Sequence, residues 1–137
     1  MRNLRIFIAE PDRDIRIGLE MLLDRESGMR VVGIAVRPEG LVRQVGALQP
    51  DIVLLDWQLI ASAPESYIKN LNSLESRPHI IVLHVRPETY EDAKAAGADY
   101  FFSKDSPPDQ LLKCLRKLKQ EGVPKIHSKK VNPLKDE

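Results

Sequence analysis

A chain of 137 residues has room for one ordinary domain, and a 42% share of hydrophobic residues is enough to give that domain a core. The formal net charge of +1 supplies no broad basic footprint for nucleic acid, and no apolar run approaches the roughly 18 residues of a membrane span. Cys114 is the only cysteine, which excludes an intramolecular disulfide and a cysteine-based metal cluster and, with the rest, points to a soluble, cytoplasmic protein.

In chain order, Leu4 to Ala9 reads as a strand that stops at Glu10-Pro11-Asp12. Asp12 or Asp14 caps a helix running to about Glu26, with Ile15, Leu19, Leu22 and Leu23 on one face and Ser27-Gly28 ending it. Arg30 to Val36 is a second strand. Pro38 and Glu39 open a second helix with Leu41, Val45 and Leu48 inward, closed by Pro50. Ile52 to Leu55 is an unbroken apolar run, too short for a helix and suited to a strand buried on both faces. Asp56 ends that run, where open α/β sheets place their ligand sites; a plain helix cap is the competing reading. Ala61 to Pro64 is a loop, and Tyr67, Ile68, Leu71 and Leu74 mark a weaker third helix. His79 to Val85 is the fourth strand. Pro87-Glu88 starts a helix through Tyr90, Ala93 and Ala96 that Gly97 stops, and Ala98 to Phe102 is the fifth strand. Ser106 caps a last helix opened by proline, with Leu111, Leu112, Leu115 and Leu118 inward and Cys114 beside them as a buried, inert thiol.

Five strands alternating with five helices predict an α/β fold, a doubly wound five-stranded parallel sheet of the flavodoxin-like (βα)5 type with order 2-1-3-4-5. In that order the ends of strands one and three lie side by side, so Glu10 and Asp56 meet across one crevice. The domain occupies residues 1–121. Residues 122–137, basic and proline-containing, read as a tail or truncated linker.

The stretches IFIAEPDRDIRIGLEMLL, VVGIA, PDIVLLD and AGADYFFSKDSPPDQLLKCL, in this order and spacing, resemble the response-regulator receiver domains of two-component signalling, especially those that precede helix-turn-helix effectors. The resemblance covers about residues 4 to 121. It implies that Asp56 accepts a phosphoryl group from a sensor histidine kinase or another signalling protein, that Lys104 pairs with that group, and that Phe101 is the switch aromatic. It implies Mg²⁺ held by Glu10, Asp56 and the Gln58 carbonyl. Two departures stand out: Pro11 occupies the place of the second acid, and His84 the place of a hydroxyl residue. Proline offers neither a carboxylate nor an N–H, so the Mg²⁺ site is expected to be weak or absent, with Asp12, one residue beyond Pro11, as the candidate substitute acid. If the His84 side chain faces the crevice it would pair with Asp56.

The resemblance further implies a non-enzymatic phosphorelay module with no nucleic-acid binding of its own. It also implies a homodimer or target face formed by the fourth helix, fifth strand and fifth helix, about Pro87 to Gln120. The alternative is a pseudo-receiver, a protein-interaction module independent of phosphate. A flavodoxin-like enzyme is disfavoured, since the acidic Glu10-Pro11-Asp12 segment would repel a flavin phosphate. The plain structural readings stand beside these: Glu10 a solvated loop acid, Lys104 a surface lysine, Phe101 and Trp57 core aromatics, and His84 a hydrogen-bonded structural histidine.

Overall fold

The computed structural model describes residues 2–86 and 88–122. The expected helix start at Pro87 and the tail from residue 123 therefore lie outside the described residues. The strands are β1 (Leu4–Ala9), β2 (Met29–Ala35), β3 (Ile52–Asp56), β4 (His79–His84) and β5 (Tyr100–Ser103), all parallel, in the order β2-β1-β3-β4-β5. The helices are α1 (Arg13–Asp24), α2 (Leu41–Leu48), α3 (Pro64–Asn72), α4 (Thr89–Ala96) and α5 (Asp109–Gln120).

Alternation along the central strands sorts side chains into two cores. Ile6, Ile8, Ile52, Leu54, Ile81 and Leu83 face α1 and α5, where Leu23, Leu111, Leu112, Leu115 and Leu118 cover them. Phe7, Ala9, Val53, Leu55, Ile80 and Val82 face the other way, under Leu41 and Val45 of α2, Ile68 and Leu71 of α3, and Ala93 of α4. A sheet apolar on both faces needs both layers, which is why β3 carries no alternating polar residue before Asp56. The far ends of the strands are fastened by two acids. Asp51 takes the Arg2 guanidinium at 2.8 Å and the Arg5 N–H at 2.9 Å, while Asp99 takes buried Arg77 at 3.1 Å and the Ile80 N–H at 2.8 Å.

Several boundaries differ from those expected. Strand β2 runs one residue earlier at each end, β4 stops at His84, and β5 is shifted to Tyr100–Ser103. Helix α2 begins at Leu41 rather than Pro38, because Pro38 is taken up in a turn closed by the Leu41 N–H and Gly40 enters the helix at φ 79°. Pro64 is the first residue of α3, not loop, and Leu74 lies past its end, where its side chain still packs on the core. Ser106 does not cap α5, which starts after Pro108 with no side-chain cap. A 3₁₀ turn, Trp57–Ile60, comes directly after β3, where no sequence signal marks one. Cys114 is half-buried rather than enclosed.

Candidate functional site

The register of the sheet builds the site. Ala9 lies opposite Leu55, so Glu10 emerges beside Asp56; Asp56 lies opposite Leu83, and His84 opposite Ser103, so Lys104 leaves the sheet next to both. Two backbone bonds hold these exits in place: Glu10 N–H donates to Ala35 O at 3.0 Å, and Lys104 N–H to His84 O at 2.9 Å.

Lys104 joins the cluster. Its Nζ donates to Asp56 Oδ1 at 2.6 Å and lies 2.8 Å from Glu10 Oε1. The Asp56 and Glu10 side chains are 3% and 1% exposed and that of Lys104 13%, so two carboxylates share one ammonium largely out of water. Burial pushes the Glu10 carboxyl above its ordinary range, the Asp56 charge adding to this and the Lys104 and Asp12 contacts opposing it. For Lys104, burial favours the neutral amine, but its bonds to Asp56 and Glu10 outweigh that and hold the ammonium above its ordinary range. The solvated-acid and surface-lysine readings of these residues are therefore set aside.

Asp56 also caps the turn after β3: the Leu59 N–H donates to its Oδ2 at 3.0 Å, starting the 3₁₀ segment. The cap and the ion pair use different oxygens of one carboxylate, so the two readings of this residue coexist. Asp12 is turned to α1, where its Oδ1 accepts the Ile15 N–H at 3.0 Å, while its own N–H donates to Glu10 Oε2 at 3.1 Å.

His84 does not pair with Asp56. The Arg86 N–H donates to Nδ1 at 3.2 Å, so this nitrogen is an acceptor and the ring proton sits on Nε2, 3.3 Å from Gln58 Oε1. The Thr89 hydroxyl stands 3.1 Å from the same Nδ1. This Gln58–His84–Thr89 link joins the turn after β3 to the start of α4. Thr89 carried no signal in sequence, since nothing there says that it folds back onto a strand end. Phe101 is half-buried, packed on the α2–α4 side of the sheet and edge-on to Tyr90 at 6.2 Å between centroids. Trp57 packs against the same core.

For a cation, the donors present are Glu10, Asp56 and the Gln58 carbonyl. Glu10 Oε1 is buried and ion-paired to Lys104 at 2.8 Å, and it retains a lone pair for a metal. The Gln58 carbonyl accepts from the Ala61 N–H at 3.2 Å and retains its second lone pair. One or two carboxylates plus phosphate oxygens is a donor set that Mg²⁺ accepts, so the residues fit that ion at the low end of its needs. No group of three or more His, Cys, Asp or Glu side chains suited to a metal stands together among the described residues.

Residues 6–116 match the response regulator receiver domain family, and the chain belongs to it. It is a receiver module of two-component phosphorelay signalling. Two curated relatives come from Bacillus subtilis. The uncharacterized transcriptional regulatory protein YvfU is 31% identical over 116 residues, covering 83% of this chain and 58% of the relative. The transcriptional regulatory protein DesR is 28% identical, covering 82% and 57%. The chain thus spans little more than half the length of these relatives. Among solved structures, a LuxR-family two-component response regulator from Aurantimonas sp. SI85-9A1 superposes with a TM-score of 0.76 at 21% identity, covering 87% of this chain and 86% of that one, a likeness of fold. Receiver domains generally bind Mg²⁺ in the acidic pocket and interact with histidine kinases. No helix of the described residues is long and apolar enough to cross a membrane.

Proposed function

We propose that this receiver, residues 1–121, accepts a phosphoryl group on Asp56, slowly, from a sensor histidine kinase or another phosphorylated signalling protein in the cytoplasm. The observation that carries this is the Lys104 ammonium placed on Asp56 Oδ1, the carboxylate oxygen left free of the 3₁₀ turn. That oxygen forms the new P–O bond while the bond from phosphorus to the donor breaks and the donor leaves with its electron pair. Asp56 is 2% exposed beneath Lys104, so the lysine must swing outward, and its ammonium then meets the incoming phosphoryl oxygens. Mg²⁺, when bound, would neutralise charge between phosphoryl and carboxylates. With Pro11 in place of an acid and Asp12 engaged in its helix cap, that help is weak.

The role is that of a phosphoryl acceptor rather than a turnover enzyme, with no nucleic-acid contact by these residues themselves. The donor is proposed to dock over the apolar depression of about 290 Å³ between α1 and α5 that opens beside Lys104, with Leu19, Leu22, Phe102 and Pro107 in its lining. Output would pass through α4, β5 and α5 to a target or a second receiver. His84 supports a second reading, a pseudo-receiver whose face is set without phosphate, because its ring is already committed to Gln58 and Thr89. Incubation with a small acyl phosphate and Mg²⁺, followed by intact-mass measurement, separates the two. The first reading expects one added phosphoryl group on the wild type and none on Asp56→Asn. No addition under any condition would favour the second.

A further inference from the structure

The sheet ends on β2, which pairs only with β1 among the described residues. An edge strand presents unpaired N–H and C=O groups, and proteins guard such edges with charges, prolines or bulges. Here the guard covers only the first half of the strand. Arg30 is exposed there, and the register slips by one residue at Val32, between the pairs Ile6–Val31 and Phe7–Gly33. From Gly33 to Val36 there is neither a charge nor a proline.

Three of the four exposed large apolar side chains in the described chain gather at this edge: Met21 at 55%, Ile34 at 40% and Val36 at 43%. Val31 pairs opposite Ile6 and Ile34 opposite Ile8, which puts both on the α1 side of the sheet. Ile17 and Met21 of α1 share with Val31 the walls of an open depression of about 460 Å³. Ile34 lies on the same face as Val31 and so carries the apolar surface on along the strand edge. Glu20, Asp24 and Arg30 also line the depression, and Arg37 stands just past Val36. None of these four charged groups has an ion-pair partner among the described residues.

We infer that this edge is an interface for a second copy of the chain, β2 pairing antiparallel with its counterpart about a two-fold axis near Ile34. The charges select this occupant and direction. Antiparallel pairing brings Arg37 of each copy level with Val31 of the other, where the unpaired Glu20 and Asp24 outnumber the single Arg30, and a two-fold contact closes on itself without open growth. Parallel pairing would set Arg37 against Arg37. A short strand and one helix face make a contact at the small end of specific interfaces, so the association is weak and concentration-dependent. It uses the opposite edge of the sheet from β5 and leaves the α4–β5–α5 face free.

Sedimentation equilibrium of the full 137-residue chain over a wide concentration range tests this. The wild type is expected to self-associate. Ile34→Lys should raise the dimer dissociation constant at least tenfold with unchanged circular dichroism. Arg37→Glu should weaken it several-fold, and adding Glu20→Lys and Asp24→Lys to Arg37→Glu should recover most of the loss. Lys113→Glu with Lys117→Glu, on exposed positions of α5, should leave it unchanged. A wild type that stays monomeric throughout, an association indifferent to Ile34→Lys and Arg37→Glu, or one abolished by the α5 reversals would overturn the inference.

Discussion

Replacing Lys104 by methionine removes the cation that two buried carboxylates share. Lys104 Nζ lies 2.6 Å from Asp56 Oδ1 and 2.8 Å from Glu10 Oε1, and both acids keep 3% or less of their side-chain exposure. Deleting one partner of a buried pair costs about 3–5 kcal/mol, and the partial exposure of Lys104 puts the expected loss near the lower figure, a large share of a typical domain's stability. The loss depends on pH with a definite sign. Lys104 is held above its ordinary range in the fold, so its contribution is present below the ordinary lysine value and vanishes as pH rises through the folded one. Wild type and Lys104→Met should therefore converge in stability in strong alkali. Glu10 is raised by burial, so the folded state retains a proton that the unfolded chain releases, and stability declines as pH rises from the ordinary glutamate value through the folded one. Without the lysine, two unpaired carboxylates enlarge that effect, and acidification should recover part of the loss. Urea unfolding followed by circular dichroism at acidic, neutral and alkaline pH measures all three. A loss below about 1 kcal/mol at neutral pH, or one independent of pH, would refute the charge-sharing account of this pocket.

Three further outcomes are expected. Calorimetric Mg²⁺ titration should show Pro11→Asp binding about one to two decades tighter than wild type, a gain on the order of 1–3 kcal/mol, with His84→Thr adding to it and Asp56→Asn weakening it. Wild-type binding as tight as Pro11→Asp would instead assign the missing acid to Asp12. The Cys114 thiol, pushed up to about 12 chiefly by burial, should alkylate at pH 8 on the order of a hundredfold more slowly than an unfolded control; equal rates would place it in solvent. Gly33→Ala should cost about 1–3 kcal/mol by urea unfolding, because an added Cβ would sit 2.6 Å from Leu48 Cδ1 and 2.8 Å from the Phe7 ring, and a neutral effect would mean that this close approach relaxes freely.

The layers of the fold were legible because burial writes itself into residue type. Ile52 to Leu55 announces a strand covered on both faces, and the spacing of Leu111, Leu115 and Leu118 announces a helix against it. Boundaries were less legible where one residue can serve two local structures: Pro38 suits a helix start and a turn equally, and the turn took it. Within the site, the meeting of Glu10 and Asp56 came from strand order, since they stand one step beyond and at strand ends, whereas Lys104 was placed there by the family resemblance. The orientation of His84 did not, because it depends on Thr89 folding back from the first turn of α4, a contact between loop exits that no periodicity encodes. The cap that Asp56 supplies to the turn after β3 was legible as its competing reading, whereas the 3₁₀ form of Trp57–Ile60 was not, since no residue there favours it over an irregular loop.

The central claim is that Asp56 accepts phosphate through a pocket that lacks one acid. The most direct measurement is the rate of phosphoryl incorporation from a small acyl phosphate, tracked by intact mass at fixed Mg²⁺, for wild type, Pro11→Asp and the same two proteins carrying Asp56→Asn. The account predicts slow incorporation in wild type, at least tenfold faster incorporation in Pro11→Asp, and none in either Asp56→Asn protein. Equal rates in wild type and Pro11→Asp, or a phosphoryl group that persists when Asp56 is replaced, would contradict it.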